Sequence, residues 1–237
     1  MIWMRSLLFV AVFYLWTAIV SIAMLPTLVL PRVACAWALR VWGASVTLLL
    51  RLICGVRVEV RGRQYLPTGA ALIAPKHQCM FDIFGMFALL DDSCFVARKE
   101  LMGIPFFGWY AWKAGMIVVD REGQAKALKK LVVDSQDRLQ HKRQIVIFPE
   151  GHRGEPGVAG DYKPGVAALY RELGMPCTPV ALNTGAHWPA HGFLRTPGTI
   201  VFEFLEPIPA GLKRAEFMRT LQDRIETAST ALLAEGL

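Results

Sequence analysis

The sequence predicts an α/β protein with a mainly parallel central sheet flanked by helices, preceded by an N-terminal membrane-associated helical hairpin. Three observations carry that expectation. Two long apolar runs fill the first fifty-odd residues, and after Cys54 short strand-like runs alternate with helical patterns. The 237 residues are enough for one domain with a sizeable core and leave little room for a second, and no internal repeat or low-complexity segment interrupts them.

From Ser6 to Leu25 the chain reads SLLFVAVFYLWTAIVSIAML, without a charge. At about 1.5 Å per residue such a helix matches a ~30 Å hydrocarbon core. The run is longer than the apolar core of a signal peptide, and no small-residue cleavage site follows it directly. Pro26 and Pro31 break the pattern before a second apolar run, Val33 to Cys54, interrupted by Arg40 and Arg51 and carrying Trp37 and Trp42. Arginines near the ends of such a run can snorkel to the interface, whereas at the bilayer centre each costs roughly 2.5–3.5 kcal/mol. The pair therefore reads as a hairpin half-embedded in one leaflet, with two shallow crossings as the alternative. Residues 1–54 are expected to form this hairpin and 55–237 the domain behind it.

Composition agrees. The chain is 54% hydrophobic and 19% charged, with a formal net charge of +7. That balance favours an anionic partner, and an anionic membrane fits better than nucleic acid. Zinc-finger spacing, a basic heptad region and an aromatic sheet motif are all missing. The five cysteines are scattered and without CxxC pairing, so they predict neither a disulfide framework nor a zinc site.

Beyond Cys54, GVRVEVRG (55–62) alternates apolar and charged residues, as a strand with one wet face does. AALIAP, CFVARK, MIVVD, IVIFPE, CTPVALN and TIVFEFLEPIP read as further strands. Helical patterns fall at about 80–90, 122–140, 164–173 and 213–235. In an open parallel sheet, ligands sit beyond the carboxyl ends of the strands. His77, Asp120, Arg121 and Glu150 all follow apolar runs at that end, so parallel neighbours would bring them into one crevice.

The segment APKHQCMFDIFG (74–85) holds His77 five residues before Asp82. In a loop entering a helix, the carboxylate can fold back onto one imidazole nitrogen and leave the other as a base for a hydroxyl. A histidine that merely caps the helix, with Asp82 solvated beside it, would give the same spacing. Cys79 offers a thiolate nucleophile as a rival, but residues two apart point in different directions, so a small side chain filling the turn is expected. In FPEGHR (148–153), Glu150 is followed by Gly151, where the backbone can approach a ligand, and by Arg153, whose planar fork suits a phosphate. Arg98, Lys99 and Arg121 add positive charge at other strand ends. Neither a Walker A loop nor GxGxxG is present, which disfavours a nucleotide hydrolase or a dehydrogenase.

With those residues in view, the chain resembles the lysophospholipid acyltransferase family, typified by 1-acyl-sn-glycerol-3-phosphate acyltransferases, over about residues 55–210. His77 and Asp82 match its HxxxxD block, GMIVVDR (115–121) the block ending in arginine, FPEGHR the FPEGTR block, and TPVAL (178–182) the proline-centred fourth. His152 replaces the common threonine. Lys76 stands where many members have asparagine, which bears on acceptor choice.

The resemblance implies that His77 deprotonates an acceptor hydroxyl while Asp82 holds it, and that Glu150, Gly151, Arg153 and Arg121, with Lys99 nearby, bind the acceptor's phosphate end. It implies acyl-CoA or an acyl carrier protein as donor, a lysophospholipid as acceptor, and no metal or redox cofactor. The expected location is the inner or plasma membrane, with the catalytic domain facing the cytoplasm. The competing expectations are acylation of another acceptor, such as a lyso-aminolipid, and a non-catalytic lipid-binding module, for which a positioned base has no use.

Overall fold

The computed structural model describes residues 1–120 and 123–236. Seven strands among the described residues form one sheet: β1 (Val56–Arg61), β2 (Ala71–Pro75), β3 (Ser93–Arg98), β4 (Ile117–Val119), β5 (Gln144–Val146), β6 (Cys177–Leu182) and β7 (Gly198–Phe204). Their spatial order is β1-β7-β6-β2-β5-β3-β4. From β6 to β4 all neighbours are parallel; β7 runs antiparallel to β6, with β1 parallel to β7 at the edge. The sheet is therefore mixed and mostly parallel. All seven expected strands form.

Helices cover both faces. On one side lie α1 (Ile2–Ala23), α2 (Arg32–Leu49), α3 (Phe81–Leu89) and α4 (Phe107–Lys113); on the other lie α5 (Gln124–Gln140), α6 (Pro164–Leu173) and α8 (Arg214–Glu235). The short α7 (Thr184–His187) follows β6. Strand β2 shows why its sequence is apolar throughout: Ala71 and Ile73 face the first layer, Leu72 and Ala74 the second. Helix α8 buries Phe217, Leu221, Ile225, Ser229 and Leu232, a stripe at three- and four-residue spacing. Two helices lie outside the expected set. FGWYAWK is a seven-residue helix whose aromatic residues show no clean apolar face, and α7 is a single turn.

The two apolar runs form helices long and apolar enough to cross a membrane, Ile2–Ala23 and Arg32–Cys54. The second closes in a π-helical turn, Leu50–Cys54, stopped by Gly55 in the left-handed region at φ 72°. They pack along the sheet layer rather than standing apart from it. Phe9 meets Trp188 edge-on at 5.3 Å and Phe13 meets Phe84 at 5.7 Å. Ser6 Oγ accepts the Arg195 N–H at 2.8 Å, and the Tyr110 hydroxyl donates to the Ser21 carbonyl at 2.7 Å. Each fully buried aromatic or aliphatic side chain in that seam contributes about 1.5–3 kcal/mol. The opposite face, with Met4, Leu7, Leu15, Ile19, Trp37 and Leu52, is exposed.

An ionic latch fastens the hairpin to the sheet. Arg32, at the start of α2, donates to both oxygens of Asp92 at 2.7 and 2.6 Å. Arg143 donates to Asp92 from the other side at 3.1 Å, and its remaining nitrogens donate to the Gly115 and Ser93 carbonyls. Burial alone would raise the Asp92 pKa, but Arg32 and Arg143 outweigh it and hold the carboxyl below the usual carboxylate range.

Asp92→Asn should cost about 2–3 kcal/mol, because the buried Arg143 guanidinium loses its charged partner. The sign follows from the depressed native pKa: the stabilisation is present above the unfolded value of about 4 and lost as pH falls through the native one. Denaturation of both proteins in detergent at pH 7 and pH 3 checks this, with the gap between them closing at the acid end.

Candidate active site

The carboxyl ends of β2, β3, β4, β5 and β6 all open onto one edge of the sheet, and the loops leaving them build the site. The loop after β2 carries Lys76, His77, Gln78 and Cys79, all buried, into α3. Asp82, in the first turn of α3, has no exposed surface. One of its oxygens, Oδ2, accepts His77 Nδ1 at 2.8 Å and the backbone N–H groups of Gln78 and Cys79 at 2.7 and 2.9 Å. The other accepts the Thr184 hydroxyl at 2.5 Å. A buried carboxylate is tolerated only with donors of this number.

A carboxylate only accepts, so the contact to His77 uses Nδ1–H and leaves Nε2 with its lone pair. The His77 ring stacks on Phe148 with centroids 3.9 Å apart and planes 16° apart. The aspartate and the phenylalanine together fix the ring's position and tautomer. About a tenth of the His77 side chain reaches solvent.

Cys79 is fully buried, with its thiol against Asp82 Oδ1 at 3.6 Å. Burial, and then the charge of Asp82, push its pKa well up. It is a protonated space-filler in the turn.

The loop after β5 passes beneath the His77 loop. Glu150, expected from the resemblance to bind the acceptor, is fully buried. Its Oε2 accepts the His77 backbone N–H at 2.8 Å and its Oε1 accepts Lys76 Nζ at 2.9 Å. Both of its oxygens therefore have partners within the protein. Lys76 is likewise buried, its side chain 1% exposed and turned towards Glu226 on α8.

Gly151 follows at φ 69° with its carbonyl accepting Arg98 Nη2 at 3.1 Å, and the Gly154 N–H donates to the His77 carbonyl at 2.8 Å. Arg153 is exposed in the loop between these two contacts. Arg98 and Lys99 are exposed at the end of β3, with Lys99 paired to Asp120 at 2.9 Å. Arg121 lies outside the described residues, directly after Asp120. His77 thus lies on the loop after β2, exposed Arg98 and Lys99 end β3, and exposed Arg153 lies on the loop after β5, all at the carboxyl edge of the parallel strands. Among the described residues no group of three His, Cys, Asp or Glu side chains is arranged to hold a metal ion.

Sequence reasoning missed Gln78, Thr184 and Glu226, and read Lys76 only as bearing on acceptor choice. Gln78 accepts the Gly185 N–H at 3.0 Å, which ties the His77 loop to α7. The polar pair Asn183-Thr184 at the end of β6 was a legible signal, since it follows a strand at the same edge as His77.

A protein-family model described as Acyltransferase matches residues 57–183. The chain belongs to this family. Within it, a 1-acyl-sn-glycerol-3-phosphate acyltransferase of Pseudomonas aeruginosa is 35% identical over 159 residues, covering 67% of this chain and 62% of that protein. The alpha form of 1-acyl-sn-glycerol-3-phosphate acyltransferase from Ovis aries is 26% identical over 189 residues, covering 78% of this chain and 66% of its own length. The chain thus spans a little under two thirds of these relatives. The crystal structure of a 1-acyl-sn-glycerophosphate acyltransferase from Thermotoga maritima has the same fold, with a TM-score of 0.80 over 98% of both chains at 20% identity. The acyltransferase match includes the loops that carry His77, Asp82 and Glu150 and stops just short of α7, which supplies Thr184, and of α8, which supplies Glu226.

Removing the Asp82 charge while keeping its shape should uncouple its two tasks. Asp82→Asn is expected to lower kcat by about 10²-fold or more, since it disturbs the His77 tautomer. Cys79→Ser should keep at least about a tenth of wild-type turnover, because a buried thiol with a raised pKa is a poor nucleophile. Steady-state thiol-release assays on both variants check this.

Proposed function

We propose that this protein is a 1-acylglycerol-3-phosphate O-acyltransferase. It would move a fatty acyl group from the thioester of acyl-CoA or acyl carrier protein to the sn-2 hydroxyl of lysophosphatidic acid, giving phosphatidic acid. The observation that carries this reading is the His77–Asp82 pair at 2.8 Å, held at the strand ends beside exposed Arg98 and Arg153. The relatives in Pseudomonas aeruginosa and Ovis aries are 1-acyl-sn-glycerol-3-phosphate acyltransferases, which supports the same acceptor and reaction class here.

In this mechanism His77 Nε2 takes the proton of the acceptor hydroxyl as its oxygen attacks the thioester carbonyl carbon. Asp82 stabilises the imidazolium that forms. Collapse breaks the carbon–sulfur bond, and the proton held on His77 passes to the leaving thiolate. One ester and one thiol result. A thioester is already activated, so the balance requires no cofactor. Arg153, with Arg121 and Lys99, grips the phosphate, Gly151 shapes the approach, and Glu150 positions His77 through its backbone.

Residues 1–54 form the membrane-associated hairpin and 55–237 the catalytic domain, facing the cytoplasm where the thioester donors are. The half-embedded arrangement is supported by the long seam between the helices and the sheet layer. Arg32 and Arg40 pair with Asp92 and Asp91 of the domain, and Arg5 donates to the Ile53 carbonyl at 2.6 Å. Two full crossings would carry that seam and those ion pairs into the bilayer. With the hairpin in one leaflet, its exposed apolar face lies in lipid and the crevice opens at the surface, where a lysolipid can enter sideways.

His77→Ala should reduce acyl transfer from acyl-CoA to lysophosphatidate at least about 10³-fold, without loss of vesicle association. Arg153→Ala should raise KM for the lysolipid about tenfold with kcat little changed, as expected of uniform binding. Activity of His77→Ala equal to wild type would remove the base assignment. A change confined to the donor KM would move Arg153 to the donor side.

A further inference from the structure

Beneath the site lies a buried charge cluster that the acyl-transfer chemistry does not use. The Lys76 ammonium donates to Glu150 Oε1 at 2.9 Å, to both oxygens of Glu226 at 2.8 Å, and to the Val158 carbonyl at 3.3 Å. Lys76 and Glu150 have essentially no solvent contact, and the Glu226 side chain is 17% exposed. Tyr162 donates its hydroxyl to Glu226 Oε1 at 3.1 Å. Three segments far apart in the chain therefore meet at one ammonium: the His77 loop, the loop after β5, which brings Glu150 and the strap through Val158 and Tyr162, and α8.

The cluster leads directly to the base. Glu150 spends its second oxygen on the His77 backbone N–H, at 2.8 Å. The strap is bound to the same frame, because the Gly154 N–H donates to the His77 carbonyl and the Lys163 N–H to the Pro149 carbonyl. Gly160 closes the strap over the carboxylate: a Cβ there would lie 2.8 Å from Glu150 Oε1. An ammonium has three N–H donors, and here all are taken. A cation this deep is held in place by its partners, since losing one leaves an uncompensated buried charge.

We infer that Glu226, on the C-terminal helix, is a positioning residue for catalysis: through Lys76 and Glu150 it fixes the backbone of His77, making α8 part of the catalytic frame. The inference rests on His77 being the base. It assigns no substrate contact to Glu226 or Lys76. It also gives the lysine before His77 a role within the protein rather than in choosing an acceptor.

A double-mutant cycle on the full-length protein in detergent tests this, with acyl-CoA and lysophosphatidate as substrates and the folded fraction measured by near-UV circular dichroism. Glu226→Gln should lower kcat about tenfold and Lys76→Met about 100-fold, with the KM for each substrate within about threefold of wild type. The double variant should be no worse than Lys76→Met alone, because removing the cation also removes the demand for its counter-charge. Wild-type kcat in Glu226→Gln, or a double variant showing the product of the two single losses, would overturn the inference. So would losses that vanish once rates are normalised to folded protein, since those would mark a purely structural role. His77→Ala runs alongside. If it stays active, the base assignment fails; if it is inactive while Glu226→Gln equals wild type, only the role of Glu226 fails.

Discussion

The Asp82 carboxylate is the constraint on which the site depends. It sits without solvent at the start of α3, where an ionised group survives only if the surrounding chain supplies donors. Those donors come from the ring of His77, from the two peptide N–H groups of the turn between them, and from Thr184 at the end of β6. Satisfying Asp82 therefore folds the His77 loop back on itself and ties it to the next strand of the sheet. The orientation of the base follows from meeting the needs of a buried charge.

A second buried carboxylate holds the same loop from beneath. Glu150 grips the His77 backbone while Asp82 grips its side chain, and the two arise from neighbouring parallel strands, β5 and β2. Preorganisation here is a matter of backbone position as well as rotamer. The N-terminal hairpin is integrated in the same way, with its aromatic seam against Trp188 and Phe84 and its ion pairs to Asp91 and Asp92. The exposed apolar face of the hairpin and the candidate site thus belong to one packed body rather than to two units joined by a linker.

Much of this was legible in the sequence. The seven strands showed themselves as apolar runs, the parallel order placed their polar endings at one edge, and the spacing of His77 and Asp82 matched a turn entering a helix. The burial of Glu150 was not legible, because sequence gives a carboxylate's place at a strand end but not its depth. That depth depends on Lys76 and on Glu226, 150 positions further on. Thr184 and Gln78 were missed for a related reason, since their hydrogen bonds exist only once β6 lies beside β2. Helix α4 escaped notice because its aromatic residues are spread between the core, as Tyr110 is, and the exposed surface, as Trp112 is, which blurs the helical period.

The central claim is that His77 acts as a base for direct acyl transfer, with no covalent intermediate on the protein. Rapid mixing of the enzyme with radiolabelled acyl-CoA, before and after addition of lysophosphatidate, tests it most directly. The account predicts no thiol release and no labelled protein until the acceptor arrives, followed by equal amounts of free thiol and acylated lipid. A burst of about one thiol per enzyme without acceptor, with label retained on the protein, would contradict it, as would absence of thiol release once the acceptor is present.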